Sequence, residues 1–290
     1  MLLSVRIVKA IVLLTTTVSG LFMNSSIVAE YGRTWGRIYQ PVEYIIFSTA
    51  VTNVLLQCSV TLDGFLYVFN SYLTFVEEVY VMDFAVLYFL IELSFWHAAW
   101  LSIYYCLKLV NHHNHFYSQM KRHFFSCIPG LLIGSTIGSL LINVPFLWTL
   151  QITVLPNGTD YKFNMVQPHK IFNMIFGCLV PFLVTFTSIV LSVCSLLSHV
   201  LRVKRKESNF RRPQLKAHMG AVRTMVTRLI LDLILCLVSA GLLTSQLTLG
   251  LVVDTACWVL VMCYSTFQSI IFIQGNAKLK TKLFTCNMMK

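Results

Sequence analysis

Seven long apolar runs divide the chain, at about 5–28, 42–67, 79–107, 124–148, 171–201, 219–247 and 251–274. Most are apolar on every face. None shows the short alternating segments of a membrane β-barrel, so each reads as a membrane-spanning helix. A hydrocarbon core about 30 Å thick takes roughly 20 residues of helix. Two or three runs are longer, which implies tilt or projection beyond the bilayer. The first run is the ambiguous one. Arg6 and Lys9, an apolar stretch to Val18 and then Ser19-Gly20 have the form of a signal peptide. The apolar run continues to Val28, which suits a span. The pattern predicts an all-α integral membrane protein, with a single seven-helix bundle over residues 1–290 and a short tail at 275–290.

Composition supports this. Only 11% of the 290 residues are charged, against about 25% in an ordinary soluble domain. Hydrophobic residues reach 57%, and mean hydropathy is +0.73. A disordered chain is excluded and a soluble globular one is opposed. The nine cysteines lack C-x-x-C spacing and lie mostly inside apolar runs, so they read as small hydrophobes. There are no repeats and no inverted pair of broken helices of the transporter kind.

The net charge of +11 need not mean nucleic acid, because the basic residues cluster in short connections. With the N-terminus outside, 17 of the 22 Lys and Arg fall on inner connections and the tail. Four (Arg6, Lys9, Lys162 and Lys170) fall outside, and Arg228 lies within a span. The positive-inside rule therefore predicts an outside N-terminus and a cytoplasmic C-terminus. Arg6 and Lys9 dissent locally. Asn157-Gly158-Thr159 is a glycosylation sequon in the outer loop between the fourth and fifth spans, which agrees. A second sequon, Asn24-Ser25-Ser26, lies within the first span, out of reach of a transferase.

Short motifs at the inner helix ends carry a family resemblance. The third span ends Leu101-Ser102-Ile103-Tyr104-Tyr105-Cys106-Leu107-Lys108-Leu109, followed by Phe116, Lys121 and Arg122, with Trp96 upstream. The fifth has Pro181-Phe182 and Ser195-Leu196-Leu197-Ser198-His199. The sixth begins Ala217-His218-Met219-Gly220-Ala221-Val222-Arg223, with Pro213 before it. The seventh ends Ser269, Ile273 and Asn276-Ala277-Lys278-Leu279-Lys280, and the first has Gly20 and Asn24 at G-x-x-x-N spacing. In this order, the set resembles the bitter taste (type 2 taste) receptors over about residues 15–282. Gln268 departs from the family's His, Asn53 from its Arg and Ser192 from a Leu. The rhodopsin-type D-R-Y and N-P-x-x-Y are absent, and residues 149–170 contain no cysteine for a loop disulfide.

The resemblance implies a G-protein-coupled chemosensory receptor in the plasma membrane. Its partners would be a small-molecule bitter agonist, a gustducin-like heterotrimeric G protein and the bilayer, with no nucleic acid and no cofactor or metal. The matched ligand-pocket positions are Leu87, Ile91 and Leu235, all aliphatic where the family carries Trp, Asn and Tyr. The signalling end would comprise Tyr104, Tyr105, Lys108, Ser195, His199, His218, Arg223, Asn276 and Lys278. These are polar groups that can exchange interhelical hydrogen bonds, or anchor helix ends at the interface.

The intramembrane charges Glu92 and Asp232 are candidates by default. Asp232 lies one turn from Leu235, on nearly the same helix face, and at i,i+4 from Arg228. The readings are an acidic pocket floor for a cationic ligand, or else a structural salt bridge or a carboxyl kept protonated by burial. The basic run 202–216 can touch a G protein, anionic lipid or both. His112, His113 and His115 read as a solvated loop rather than a metal site. There is no G-x-S-x-G, H-E-x-x-H or phosphate loop, so no enzyme is expected. A vomeronasal type 1-like receptor is the alternative, and a transporter or channel a more distant one.

Overall fold

The computed structural model describes residues 2–33, 40–68, 77–109, 115–154, 161–206, 212–244, 251–276 and 279–281. Nine helices and two strands appear among the described residues: α1 (Leu2–Arg33), α2 (Pro41–Val68), α3 (Glu77–Leu109), α4 (His115–Asn143), α5 (Phe146–Thr149), β1 (Leu150–Val154), β2 (Tyr161–Met165), α6 (Gln167–Asn173), α7 (Val180–Lys206), α8 (Arg212–Thr244) and α9 (Leu251–Gly275). Seven helical segments are long and apolar enough to cross a membrane. They are Ile7–Arg33, Pro41–Leu66, Glu78–Leu109, Ser118–Thr149, Gln167–Ser198, Val222–Gly241 and Thr255–Gly275.

Successive spans run antiparallel, so the bundle has two ends. The hairpin end carries β1 and β2. The basic end carries the helix ends at Arg33, Leu109 and Lys206. α3 packs against α2, α4 and α7, and α9 packs against α1, α2 and α8. At 33 residues, α3 and α8 each rise about 50 Å, well beyond the hydrocarbon core. Large apolar side chains including Leu14, Phe22, Ile133 and Leu141 are exposed on the outside of the bundle, the surface that lipid covers.

Several features differ from the spans drawn from the sequence. α1 runs on to Arg33, with the good helix formers Ala29 and Glu30 carrying it past Val28. The fourth span breaks at Val144-Pro145: Pro145 has no N–H to give, and α5 restarts from its carbonyl, which accepts from Thr149 N at 3.0 Å. α8 begins at Arg212, so a stretch read as connection is helix, with Pro213 in the first turn where it is tolerated. The fifth span is α6 and α7 joined by a π-helical stretch, Met174–Leu179. Pro181 explains it, because a proline cannot bond the carbonyl four residues back and pushes it aside.

The hairpin was not anticipated. Leu150, Ile152 and Val154 stand opposite Met165, Phe163 and Tyr161, and the polar Gln151 and Thr153 stand opposite Asn164 and Lys162. That is period-2 alternation on both strands, with like facing like. Its base is fixed by His169, which contacts the Ile142 carbonyl at 2.9 Å through Nε2 and Thr149 Oγ1 at 2.9 Å through Nδ1.

Candidate functional site

The expected ligand positions come together. Ile91 and Leu235 are buried in one apolar cluster with Leu13, Leu56, Val60, Leu90, Phe95 and Met262, and Leu87 packs against it. Leu235 also lines a cavity of about 110 Å³ between α8 and α9, whose other walls are Leu231, Ile234, Leu260, Cys263, Tyr264 and Phe267. Leu87 and Ile91 do not line it. A larger cavity of about 280 Å³ lies between the same two helices at the basic end, lined by Gly220, Arg223, Thr224, Thr227, Ile271 and Gln274.

The two candidate carboxylates do not meet. Glu92 is buried and accepts a hydrogen bond from Asn143 Nδ2 of α4. That amide also bonds the Ser139 carbonyl at 2.8 Å, and its oxygen accepts from Asn173 Nδ2 of α6 at 3.3 Å. Gly177 closes the fourth side. A Cβ there would sit 3.2 Å from the Glu92 carboxyl carbon, so glycine lets the π-helical backbone approach. Asp232 faces the opposite way, into α9, where Tyr264 OH donates to its Oδ1 at 3.0 Å.

Tyr264 belongs to a polar cluster joining α3, α8 and α9. Because Tyr264 spends its one proton on Asp232, Ser94 of α3 must donate to Tyr264 at 3.0 Å. Gln268 Nε2 donates to both Tyr264 OH, at 3.0 Å, and Ser94 Oγ, at 3.3 Å. Every arrow points toward the carboxylate. Arg228 Nε stands 3.8 Å from Asp232 Oδ2, within ion-pair range and beyond hydrogen-bond range. Its guanidinium instead lies over the Phe272 ring, 4.7 Å from the centroid.

A second polar cluster joins α1, α2 and α9. Asn24 Nδ2 donates to the Gly20 carbonyl at 2.9 Å and the Ser265 carbonyl at 3.3 Å. Asn53 Nδ2 donates to Asn24 Oδ1 at 3.2 Å, and Ser265 Oγ donates to Gln57 Oε1. Toward the hairpin end, Lys9 is buried with its ammonium 5.3 Å from the Trp258 ring centroid, and Trp258 Nε1 donates to Asp63 Oδ2 at 3.3 Å. Lys9 is therefore a helix-packed cation rather than a loop charge.

At the basic end, Tyr104 is buried against Phe125, with ring centroids 4.9 Å apart, and edge-on to Tyr105 at 5.6 Å. Lys108 is exposed, with its ammonium 5.7 Å from the Tyr104 ring. Asn276 Nδ2 donates to Tyr31 OH at 3.2 Å, and its Oδ1 accepts from Leu279 N at 3.2 Å. Ser195 is half-buried on α7, and Arg223 is exposed at the larger cavity. His199 and His218 lie on α7 and α8, with side chains outside the described residues, and Lys278, Asn157, His112 and His113 lie outside them altogether. Sequence reasoning missed Ser94, His97, Asn143, Asn173, Tyr31 and Tyr264. A polar side chain deep in an apolar span was the available signal.

The taste receptor protein (TAS2R) family model matches residues 1–289. The chain belongs to this family of G-protein-coupled receptors. It is therefore a multi-pass membrane receptor and not an enzyme. It is 28% identical to taste receptor type 2 member 40 of Gallus gallus over 282 residues, covering 92% of this chain and 90% of that one. Against taste receptor type 2 member 9 of Homo sapiens it is 27% identical, covering 82% and 79%. Against taste receptor type 2 member 4 of Pan troglodytes it is 26% identical, covering 90% of each. Identities this low make it a divergent member.

Proposed function

We propose that this receptor detects small, mostly lipophilic bitter compounds and activates a gustducin-type G protein, with phospholipase C and calcium release downstream. The observation that carries the reading is the family match along almost the whole chain, with type 2 taste receptors as relatives. The basic end is cytoplasmic and the hairpin end, with Asn157, faces outside the cell. The protein sits in the plasma membrane with its N-terminus out and its tail, from residue 275, inside.

Agonist binds at the outer half, around Leu87, Ile91 and Leu235, with the carboxylates of Glu92 and Asp232 beneath. Aliphatic walls give area burial, roughly 25 cal/mol per Å², and few directional bonds. A methylene discriminates by only about 1–3 kcal/mol, so agonists are lipophilic and selectivity is low. Each carboxylate has one oxygen held by a protein donor and one without a hydrogen-bond partner among the described residues. Tyr104, Tyr105, Lys108, Ser195, His199, His218, Arg223, Asn276 and Lys278 form the coupling end.

The test is a calcium-response screen of bitter compounds in cells supplied with a gustducin-like G protein. A lipophilic agonist is expected. In the same cells, Lys108→Ala and His218→Ala lower maximal response or alter basal activity while agonist ranking stays unchanged. If both variants reach the surface and signal as wild type, the coupling end is wrongly assigned.

A further inference from the structure

Asp232 has two candidate partners, and the structure joins it by a hydrogen bond to only one of them. One is Tyr264, across the helix interface on α9, at 3.0 Å. The other is Arg228, one turn away on its own helix, at 3.8 Å. Arg228 is only 4% exposed, yet none of its three guanidinium nitrogens has a hydrogen-bond partner among the described residues. Asp232 Oδ2 has none either, nor do the two ring nitrogens of His97 and Gln268 Oε1. A buried pair with such loose geometry adds little stability, because desolvation offsets its attraction. What holds the helices together here is the tyrosine bond, backed by donors from Ser94 and Gln268.

We propose that Asp232 is the two-position switch of this receptor, bonded to Tyr264 at rest and to Arg228 when active. The packing of Leu87, Ile91 and Leu235 into one closed apolar cluster makes the described arrangement the resting one. Agonist that wedges this cluster moves Leu235, and with it Asp232 one turn below on the same helix. Asp232 then leaves Tyr264, and the Arg228 guanidinium closes on it as a two-pronged charged bond. An interhelical bond is exchanged for an intrahelical one, so neither state strands the carboxylate. That exchange keeps the two states close in free energy while freeing α8 from α9, as a receptor requires. The larger cavity between α8 and α9, beginning at Thr227 next to Arg228, is where the freed basic half of α8 would part from α9.

The proposal deepens the reading of the chain as an agonist-driven, G-protein-coupled receptor, and it predicts opposite effects from its two arms. Tyr264→Phe removes the resting partner. At matched surface expression, basal calcium or inositol phosphate signalling rises several-fold and agonist EC50 falls. Arg228→Met removes the active partner. Basal signalling does not rise, and maximal response falls several-fold, while Arg228→Lys, which keeps the charge, recovers part of it. Should Arg228→Met be retained inside the cell, Arg228→Gln carries the same expectation. Changes in the same direction, or no change in either variant, overturn the switch. Hydrogen exchange along residues 220–235 of the purified receptor gives a readout independent of any G protein: Tyr264→Phe speeds it and Arg228→Met does not. Exchange that responds in this way in a receptor without signalling would sink the coupling reading and keep the switch. Unchanged exchange in Tyr264→Phe sinks the switch.

Discussion

Among the described residues, α9 takes part in two polar seams. The seam with α1 and α2 is made of neutral groups: Asn24, Asn53, Gln57 and Ser265. The seam with α3 and α8 holds a full charge pair, Arg228 and Asp232, whose members do not close on each other. The neutral seam leaves one side-chain atom unpartnered on Asn53 and one on Gln57. The charged seam leaves all three Arg228 nitrogens, one Asp232 oxygen, both His97 nitrogens and one Gln268 oxygen. Neutral amides inside a membrane bundle fasten helices at modest cost, since each has donors and acceptors to match its neighbours. A charged, half-satisfied cluster is a poor fastener but offers alternative pairings. Two seams on the same helix thus suit two tasks, a fixed hinge side and a movable side.

The harshest way to break the fixed side is at Gly20. A Cβ there would lie 2.6 Å from Gln57 Oε1 and 2.7 Å from Thr266 Oγ1. Gln57 cannot swing aside without giving up Ser265. Gly20→Val should cost about 1–3 kcal/mol in overpacking and a similar amount for the orphaned polar groups. Surface abundance, measured by antibody on intact cells, should fall several-fold or more. Wild-type abundance would mean that α1 and α9 are not packed as closely as described.

A milder change sharpens the contrast. Asn24→Ala takes the acceptor from Asn53 Nδ2 and leaves the Ser265 carbonyl without its side-chain donor. The cost is about 1–3 kcal/mol, read as a lower thermal-unfolding midpoint of purified receptor. Basal signalling of the surviving surface receptor should stay at wild type, unlike Tyr264→Phe on the other side. A raised basal signal in Asn24→Ala would put both seams in the switch and end the distinction.

Much of this was legible in the chain. The apolar runs located seven spans, and the motifs at the helix ends named the family. The hairpin was legible too, because Leu150-Gln151-Ile152-Thr153-Val154 and Tyr161-Lys162-Phe163-Asn164-Met165 both alternate, and alternation is the strand signal. Two five-residue alternations give a weak signal beside flanking spans that are helical and apolar on every face. What could not be read was which way a buried polar group faces. The sequence leaves Glu92 and Asp232 as either an acidic pocket floor or structural groups; Glu92 turns to α4 and α6 and Asp232 to α9. In spans apolar all round, periodicity marks no preferred face, so helix rotation is set by partners far away in sequence. Lys9 shows the same limit: charge counting assumes a solvated loop, and Lys9 is packed beside Trp258.

The smallest expected effect decides what Asp232 is for. Asp232→Asn keeps an oxygen for Tyr264 and removes the charge that draws Arg228. The active pairing is lost, but the resting bond is weakened as well, which offsets part of that loss. Maximal response should therefore drop modestly, by about the same factor for amine agonists and for neutral ones, with the comparison made on dose–response curves in one cell line. An acid that reads a ligand amine would behave differently. Losing it would weaken amines alone, because a neutral agonist has no cation to miss, and a hydrogen bond to a charged group contributes about 1.5–3 kcal/mol. Equal loss places Asp232 in the movable seam. Selective loss of amines would place it in the ligand pocket and leave the charged seam without its moving part.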